Sequence, residues 1–479
     1  MIPLLLIFIP VVSGLVTFLL KNGSSAKNVA LLSATITAII GVYALFATSE
    51  LVYDAAWLPV LGSRFSVALD GMSKMLTLLT AVSFPIIFAA TYNNEYKNSN
   101  AFYGLMLLTQ AGLMGVFVAT DCLLFYFFWE LALIPVYFLC SIWGGEKRIA
   151  VTFKFFIYTF LGSLLMLIGI LYIYFLSPTH SFSIASFYQL KLSATEQNIG
   201  FWLFFIAFAI KMPIFPFHTW QPDAYEQSPT AVTMVLSGIM VKMGIFAVIR
   251  WLIPIFPIAT EKFGFIIILL SVIGMLYASF IAIKQDDIKR LIAYSSIAHI
   301  GLMSAAIFTL NTIGLKGVMI QMFNHGVNVI GLWIVADAIE QKLGTRKFSD
   351  LGGLAQKAPA LAILLVVMAF ANVALPLTNA FVGEFLMFNG LFQYNIYLAG
   401  VAGISIILAA VYTLNMVQKV FYGNTVQLTE KATEFSVNTQ LMLIVLVIVI
   451  IGLGVFPQPM IDLTTETVNS ILDSILVKR

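Results

Sequence analysis

Six ionisable side chains stand inside runs of sequence that are otherwise apolar: Glu130, Lys211, Lys242, His299, His325 and Glu384. A charge at mid-membrane costs at least about 2.5–3.5 kcal/mol on insertion scales, so each one asks for a reason. Glu130 closes the run Leu123-Leu124-Phe125-Tyr126-Phe127-Phe128-Trp129. It is either a neutral acid bonded to a neighbouring helix or a carboxylate that pairs with a buried lysine. Lys211 supplies such a lysine. It ends the apolar run from Phe201 to Ile210 and precedes Pro213 and Pro216. The two prolines remove backbone donors and break a helix, leaving free carbonyls beside an ammonium. The alternative is a lysine that snorkels from a helix end. Lys242 lies mid-span among Ser237, Gly238 and Gly244, small residues that let helices approach closely. His299 and His325 are flanked by hydroxyl, amide or glycine residues. Imidazole titrates near neutrality, so the two could pass protons, or each could be structural. Without cysteine or carboxylate at ligand spacing they make no metal site. Glu384 follows Pro376 closely. It reads as a charge at a second helix break, or as a carboxylate favoured by a helix N-terminus. The chemistry of this set is proton transfer.

The elements that must hold these groups follow from composition. Of 479 residues, 61% are hydrophobic and only 10% charged, which excludes a water-soluble globular protein, a nucleic-acid binder and a disordered chain. A membrane helix needs roughly 20 apolar residues, and hydropathy gives about fourteen candidate spans. They lie near 2–20, 28–47, 72–91, 100–119, 121–142, 152–175, 200–217, 229–255, 263–283, 291–309, 314–339, 358–378 continuing to 394, 400–418 and 437–456. Such segments must be helical, because lipid cannot satisfy open backbone groups. The expectation is an all-α polytopic protein forming one integral membrane domain over 1–479. The start, Met1-Ile-Pro-Leu-Leu, reads as a first span and not as a signal peptide. Polar stretches remain near 48–70, 176–199 and 340–357, and residues 459–476 read as a short amphipathic helix or a frayed tail. Odd-numbered loops carry 14 Lys and Arg against 5 in even-numbered loops and the tail. Odd loops are therefore expected inside a bacterial inner membrane, with both termini on the outer side. Cys122 and Cys140 sit in apolar runs and give no disulfide framework.

The breaks are spaced regularly. Interrupted spans with a nearby charge occur seventh and twelfth, and Glu130 and His299 fall in the fifth and tenth. Corresponding breaks five spans apart point to two five-helix repeats of opposite orientation, over 100–255 and 263–418, with ion sites at the breaks. No glycine-rich nucleotide loop, CxxC or HExxH is present, so the chain offers no cofactor site of its own. It moves ions or is a passive scaffold, and a scaffold would tolerate alanine at the buried charges.

Several runs together carry a resemblance. They are Phe128-Trp129-Glu130-Leu131 with Trp143-Gly144-Gly145, and Lys154-Phe155-Phe156-Ile157-Tyr158. Lys211-x-Pro-x-x-Pro-Phe-His218-x-Trp220-x-Pro222-Asp223-Ala224 and Ser237-Gly238-(x)3-Lys242-x-Gly244 follow. Asp287-Ile288-Lys289-Arg290-(x)2-Ala293-Tyr294-Ser295-Ser296-(x)2-His299-x-Gly301 is the most specific. From about 70 to 420 the chain resembles the antiporter-like proton-translocating subunits of respiratory complex I, NADH:quinone oxidoreductase, and within them the M (chain 4) type. The L and N types carry lysine at the broken twelfth helix, where this chain has Glu384.

The resemblance implies roles. Glu130 and Lys211 would form a switching pair, Lys242 the central relay, His299 and His325 connecting groups, and Glu384 the outlet. Separating a carboxylate from a lysine about 5 Å away changes their interaction by roughly 3 kcal/mol at an effective dielectric near 20. Moving a proton against about 150 mV needs roughly 3.5 kcal/mol, so one such switch has the right size. No cofactor is expected in this chain; NADH, FMN, iron–sulfur and quinone sites would lie in partner subunits, and L-like and N-like subunits would be neighbours. The rival readings are the D-type subunit of a multisubunit cation/proton antiporter and a membrane-bound hydrogenase subunit. There are departures too. Tyr225 stands for a usual histidine, Gln221 for a usual leucine, and Leu375-Pro376-Leu377 for Leu-Pro-Gly.

Overall fold

The computed structural model describes residues 1–430 and 432–476. Lys431, Lys478 and Arg479, which enter the loop-charge count, lie outside the described residues. Six long helices come first: Ile2–Leu19, Gly23–Phe46, Gly71–Ala90, Ser99–Val118, Cys122–Trp143 and Arg148–Leu176. Several start on a side-chain cap that satisfies free amides of the first turn. Asn22 accepts from Ser24, Asp70 from Ser73, and Asp121 from Leu123 and Leu124.

The all-α expectation holds, with one small addition. The polar stretch before Gly71 contains a hairpin, Val52–Leu58 paired antiparallel with Ser63–Ala68. Exposure alternates along Val52–Leu58, with Tyr53, Ala55 and Trp57 on the less exposed side, which suits a pleated surface, and Gly62 turns the chain with φ 72°. Arg64 grips Asp54 through two nitrogens across the strands.

The expected seventh span starts earlier and ends at Lys211. It runs Ala194–Lys211, opened by a reciprocal cap between Ser193 and Glu196. After nine non-helical residues a short helix, Gln221–Gln227, leads into Thr230–Leu252. This last helix is wholly buried and widens into π-turns at Leu236–Met240 and Val248–Leu252. Pro257–Ile283, Ile288–Phe308 and the buried 32-residue helix Thr312–Leu343 follow. The twelfth span is two helices, Pro359–Asn372 and Asn379–Tyr394, separated at residues 373–378. Ile396–Phe421, Val437–Val455 and Gln458–Leu476 close the chain, and the last packs on Gly71–Ala90 and Thr312–Leu343. Among the described residues twelve helices are long and apolar enough to cross a membrane; the two interrupted spans are not among the twelve.

Odd-numbered loops are tied to one another. Lys27 Nζ donates to Tyr92 O and Asn94 O, Trp143 Nε1 to Lys97 O, and Gly145 N to Gln227 O. Arg290 bonds Glu226, and Arg346 bonds Asp287. Even-numbered connections are likewise joined: Thr120 N to Ser66 O, Ile184 N to Thr120 O, and Asn311 Nδ2 to Gly390 O. The two sets of loops thus gather at opposite ends of the helices. Large apolar side chains such as Phe46, Phe175 and Ile407 point outward from the outer helices, as a bilayer contact requires.

Candidate functional site

The first break is built by Pro213 and Pro216. With Pro213 unable to donate to Ala209 O, Ile214 N takes that carbonyl at 3.2 Å, and the carbonyl of Ile210 is capped by Trp220 Nε1 at 3.1 Å. Lys211 is 2% exposed, and its Nζ has no hydrogen-bond partner among the described residues. It stands 5.4 Å from the ring centroid of Trp129, a cation–π distance. Glu130, the next residue, acts on it electrostatically. Glu130 Oε1 is buried and also unpartnered. The structure brings the two charges into mutual range without closing an ion pair between them.

Gly244 fixes the next link. A Cβ there would stand 2.7 Å from both Met212 N and Phe208 O, so the Lys242 helix lies directly on the end of the Lys211 helix. Lys242 is fully buried. Its Nζ donates to Ser237 O at 2.8 Å, within the π-turn, and lies 2.8 Å from His325 Nδ1. This contact exists because Gly238 and Gly326 abut. A Cβ on Gly326 would meet Gly238 O at 2.8 Å, and small residues are what such a crossing needs.

From His325 the line continues to His299, with ring centroids 5.6 Å apart. His299 Nδ1 is 3.0 Å from Glu384 Oε1. Gln321 Nε2 approaches the same oxygen at 3.5 Å. Lys242, His325, His299 and Glu384 therefore form one continuous series, carried by four different helices.

The second break is held by residues that sequence reading passed over. Asn324 Nδ2 donates to Asn379 O at 2.7 Å, and Asn328 Nδ2 to Ala371 O at 3.4 Å. The two asparagines are one turn apart and flank His325, so one helix carries that histidine and the groups that fasten both halves of the broken span. Their spacing, Gln321, Asn324, Asn328, is helical, and that amide stripe was the available signal. The missing glycine does not change the backbone, since Leu377 takes φ 75°, the left-handed conformation that glycine adopts freely. Ser295, Asn372, Thr413 and Tyr412 form a further buried polar cluster beside the break.

At the end formed by the odd-numbered loops, charges interlock. Lys154 pairs with Asp223 at 2.9 Å, Arg290 with Asp223 at 3.1 Å and with Glu226 at 2.7 Å. Arg346 joins Glu226, Asp287 and Glu340, and Lys289 joins Glu340. Burial alone would lower the affinity of the Arg346 guanidinium for its proton; Asp287, Glu340 and Glu226 outweigh it and hold the group above its ordinary range. Among the described residues no three His, Cys, Asp or Glu side chains are grouped to hold a metal ion.

Apolar helices with two interrupted spans, and a line of ionisable groups running between them, define a polytopic membrane protein of the antiporter-like class. The chain belongs to the NADH:quinone oxidoreductase/Mrp antiporter transmembrane family, which matches residues 119–411. NADH-quinone oxidoreductase subunit M of Rickettsia typhi is 35% identical over 97% of this chain and 97% of its own length. A chain of respiratory complex I from Thermus thermophilus, solved with bound NADH, superposes with a TM-score of 0.91 at 29% identity, covering 98% of this chain and 100% of that one. A chain of the Mrp complex from Dietzia sp. DQ12-45-1b shares the fold, with a TM-score of 0.87 at 20% identity over 99% of each.

Proposed function

We propose that this chain is a proton-translocating membrane subunit of NADH:quinone oxidoreductase, of the M type. The observation that carries the proposal is the unbroken series Lys242–His325–His299–Glu384, with Lys211 at the first break feeding it. The full-length similarity to subunits named M supports this family over the cation/proton antiporter, and Glu384 in place of lysine supports it too. In this reading Glu130 and Lys211 are the switching pair. When Glu130 moves away or is neutralised, Lys211 releases its proton toward Lys242; when the pair re-forms, Lys211 takes one up. The open geometry of Glu130 and Lys211, in range but unbonded, is consistent with a pair that must separate and rejoin. His325 and His299 carry the proton to Glu384, which delivers it to the outer side.

The chain then crosses the membrane fourteen times, with inverted repeats at 100–255 and 263–418. The Lys- and Arg-rich odd-numbered loops face inward and both termini face outward in a bacterial inner membrane. The gathering of odd-numbered loops at one end supports that assignment. Electron transfer from NADH through FMN and iron–sulfur centres to quinone takes place in other subunits, and L-like and N-like subunits flank this one. The test is Lys211→Ala in the assembled complex, in inverted membrane vesicles. Electron transfer with a reduced proton yield is expected; an unchanged yield in Lys211→Ala refutes the assignment.

A further inference from the structure

The series described above, with Lys211 feeding Lys242, gives no route to either lysine from the face that carries the basic loops. One side chain at that face stands apart from the charge lattice around it. Asp337 lies in the helix Thr312–Leu343 and is 5% exposed, a carboxylate enclosed by protein. Asn94 Nδ2 donates to it at 3.0 Å, and Thr230 lines a cavity with it. Asp337, Thr230, Glu226, Lys289, Glu340 and Arg346 share the wall of a cavity of about 320 Å³. Several water molecules fit in such a polar space.

Asp337 and Thr230 stand at equal distances from the relay. His325 and Asp337 are twelve residues apart on one helix, and Thr230 and Lys242 are twelve apart on its neighbour. The two helices run side by side in opposite directions, bordering one cavity at Thr230 and Asp337 and touching at Lys242–His325. At 1.5 Å per residue the separation is about 18 Å. Polar groups fill it. Thr233 and Ser237 are fully buried, and Ser237 Oγ donates to Thr233 O at 2.9 Å. Thr233 Oγ1 meets Tyr225 O at 3.2 Å. Tyr225 and Gln221 are fully buried at this level, and their polar groups lie close to each other. Thr230, Thr233 and Ser237 recur at helical spacing, so they share one face of a helix that ends its polar stripe at Lys242.

We propose that Asp337 takes up protons from the cavity at the basic-loop face and passes them along the Thr230–Thr233–Ser237 face to Lys242. The inference rests on the proton-transfer reading above. A proton leaves a hydronium ion in the cavity for the Asp337 carboxylate. When Lys242 is neutral, the acid gives that proton to the stripe. For the transfer the Thr233 and Ser237 hydroxyls turn from the backbone carbonyls they now bond toward the next group of the stripe. Each hydroxyl accepts one proton and releases its own to that group, so the stripe is unchanged when Lys242 becomes an ammonium.

The experiment compares Asp337→Asn, Asp337→Glu and Lys242→Ala in the assembled complex, reading protons translocated per NADH oxidised in inverted vesicles. Asp337→Asn keeps the shape and the Asn94 contact but cannot ionise. It should lose the same share of the proton yield as Lys242→Ala, and Asp337→Glu should restore it. A native yield in Asp337→Asn beside a loss in Lys242→Ala overturns this proposal and leaves the general reading standing. Native yields in both variants overturn the general reading, and this proposal with it. If Asp337→Asn fails to assemble, Thr230→Val is measured instead, since it removes the hydroxyl and keeps the branched shape. A native yield in that variant likewise overturns the route.

Discussion

The contact between Lys242 and His325 depends on a position that carries no side chain, and that makes Gly326→Ala the sharpest perturbation of the line. A methyl group on Gly326 would stand 2.7 Å from a Leu79 methyl and 2.8 Å from the carbonyl oxygen of Gly238. Leu79 can rotate away. The Gly238 carbonyl belongs to the backbone of a buried helix and moves only with it. Ordinary contact begins at 3.4 Å, so the helices must part by about 0.6 Å. Lys242 cannot follow His325, because its ammonium is also tied to Ser237 O at 2.8 Å, next to the carbonyl being pushed. The Lys242–His325 distance should then open from 2.8 Å to about 3.4 Å, beyond the usual 2.7–3.2 Å of such a bond. Overpacking of this kind costs about 1–3 kcal/mol, small enough for assembly to survive. Inverted vesicles carrying Gly326→Ala should oxidise NADH with quinone while translocating fewer protons per electron pair. Gly331→Ala, on the same helix, is the control. Its methyl would meet the sulfur of Met368, a flexible side chain that can yield, and its proton yield should stay native. A native yield in Gly326→Ala, or an equal loss in Gly331→Ala, would refute the reasoning.

Two further predictions concern the frame. Leu377 holds φ 75° with 69% of its surface exposed, so Leu377→Gly gives up little burial and relieves about 1 kcal/mol of backbone cost. Thermal unfolding of the purified complex should be unchanged or slightly raised, and a clear drop would show that the leucine side chain is needed. Asp70 caps Gly71–Ala90 through Ser73 N and pairs with Arg250. Burial pushes the Asp70 carboxyl up, but Arg250 and the Ser73 amide outweigh it and hold the group below the usual 3.8. A depressed carboxyl contributes stability that is complete above its unfolded-state value and is lost as pH falls through the folded one. Stability against pH should therefore decline below about pH 4, and Asp70→Asn should flatten that acid limb.

What the sequence reveals here depends on how local each cause is. An apolar run announces a membrane helix, and a proline announces a break, so Glu130, Lys211, Lys242 and the Pro213–Pro216 interruption are readable from single segments. The contacts between them are not. Nothing in the spacing of Lys242 and His325 places them 2.8 Å apart; that follows from two glycines on different helices meeting backbone to backbone. The Leu-Pro-Leu departure leaves the break geometry open when read as letters, because leucine avoids the left-handed region. Packing of neighbouring helices on residues 371–379 fixes the conformation regardless, with Asn324 and Asn328 fastening its two sides. The hairpin at Val52–Leu58 was hidden for another reason. Its segment stands out from the spans as a polar stretch, but Asp54, Arg64 and several Ala and Ser residues leave too weak an alternation of apolar side chains to announce two strands. Asp337 escaped because it falls within three residues of an expected helix end, where an acid needs no special explanation.

The geometry also constrains how many protons the line can hold. At 2.8 Å, two positive charges on Lys242 and His325 would repel by about 6 kcal/mol at an effective dielectric near 20. The pair therefore carries one excess proton, and a second arriving at Lys242 must drive the first onward. The next acceptor is His299, whose ring faces His325 at 5.6 Å and whose Nδ1 already meets the Glu384 carboxylate at 3.0 Å. A proton on His299 is attracted to that carboxylate and repelled by the cation left behind it. In the proposed proton-transfer reading, single occupancy at one end and the Glu384 carboxylate at the other give the series a direction. In that reading the mechanical step falls to Glu130 and Lys211, two opposite charges that the structure leaves close but unbonded.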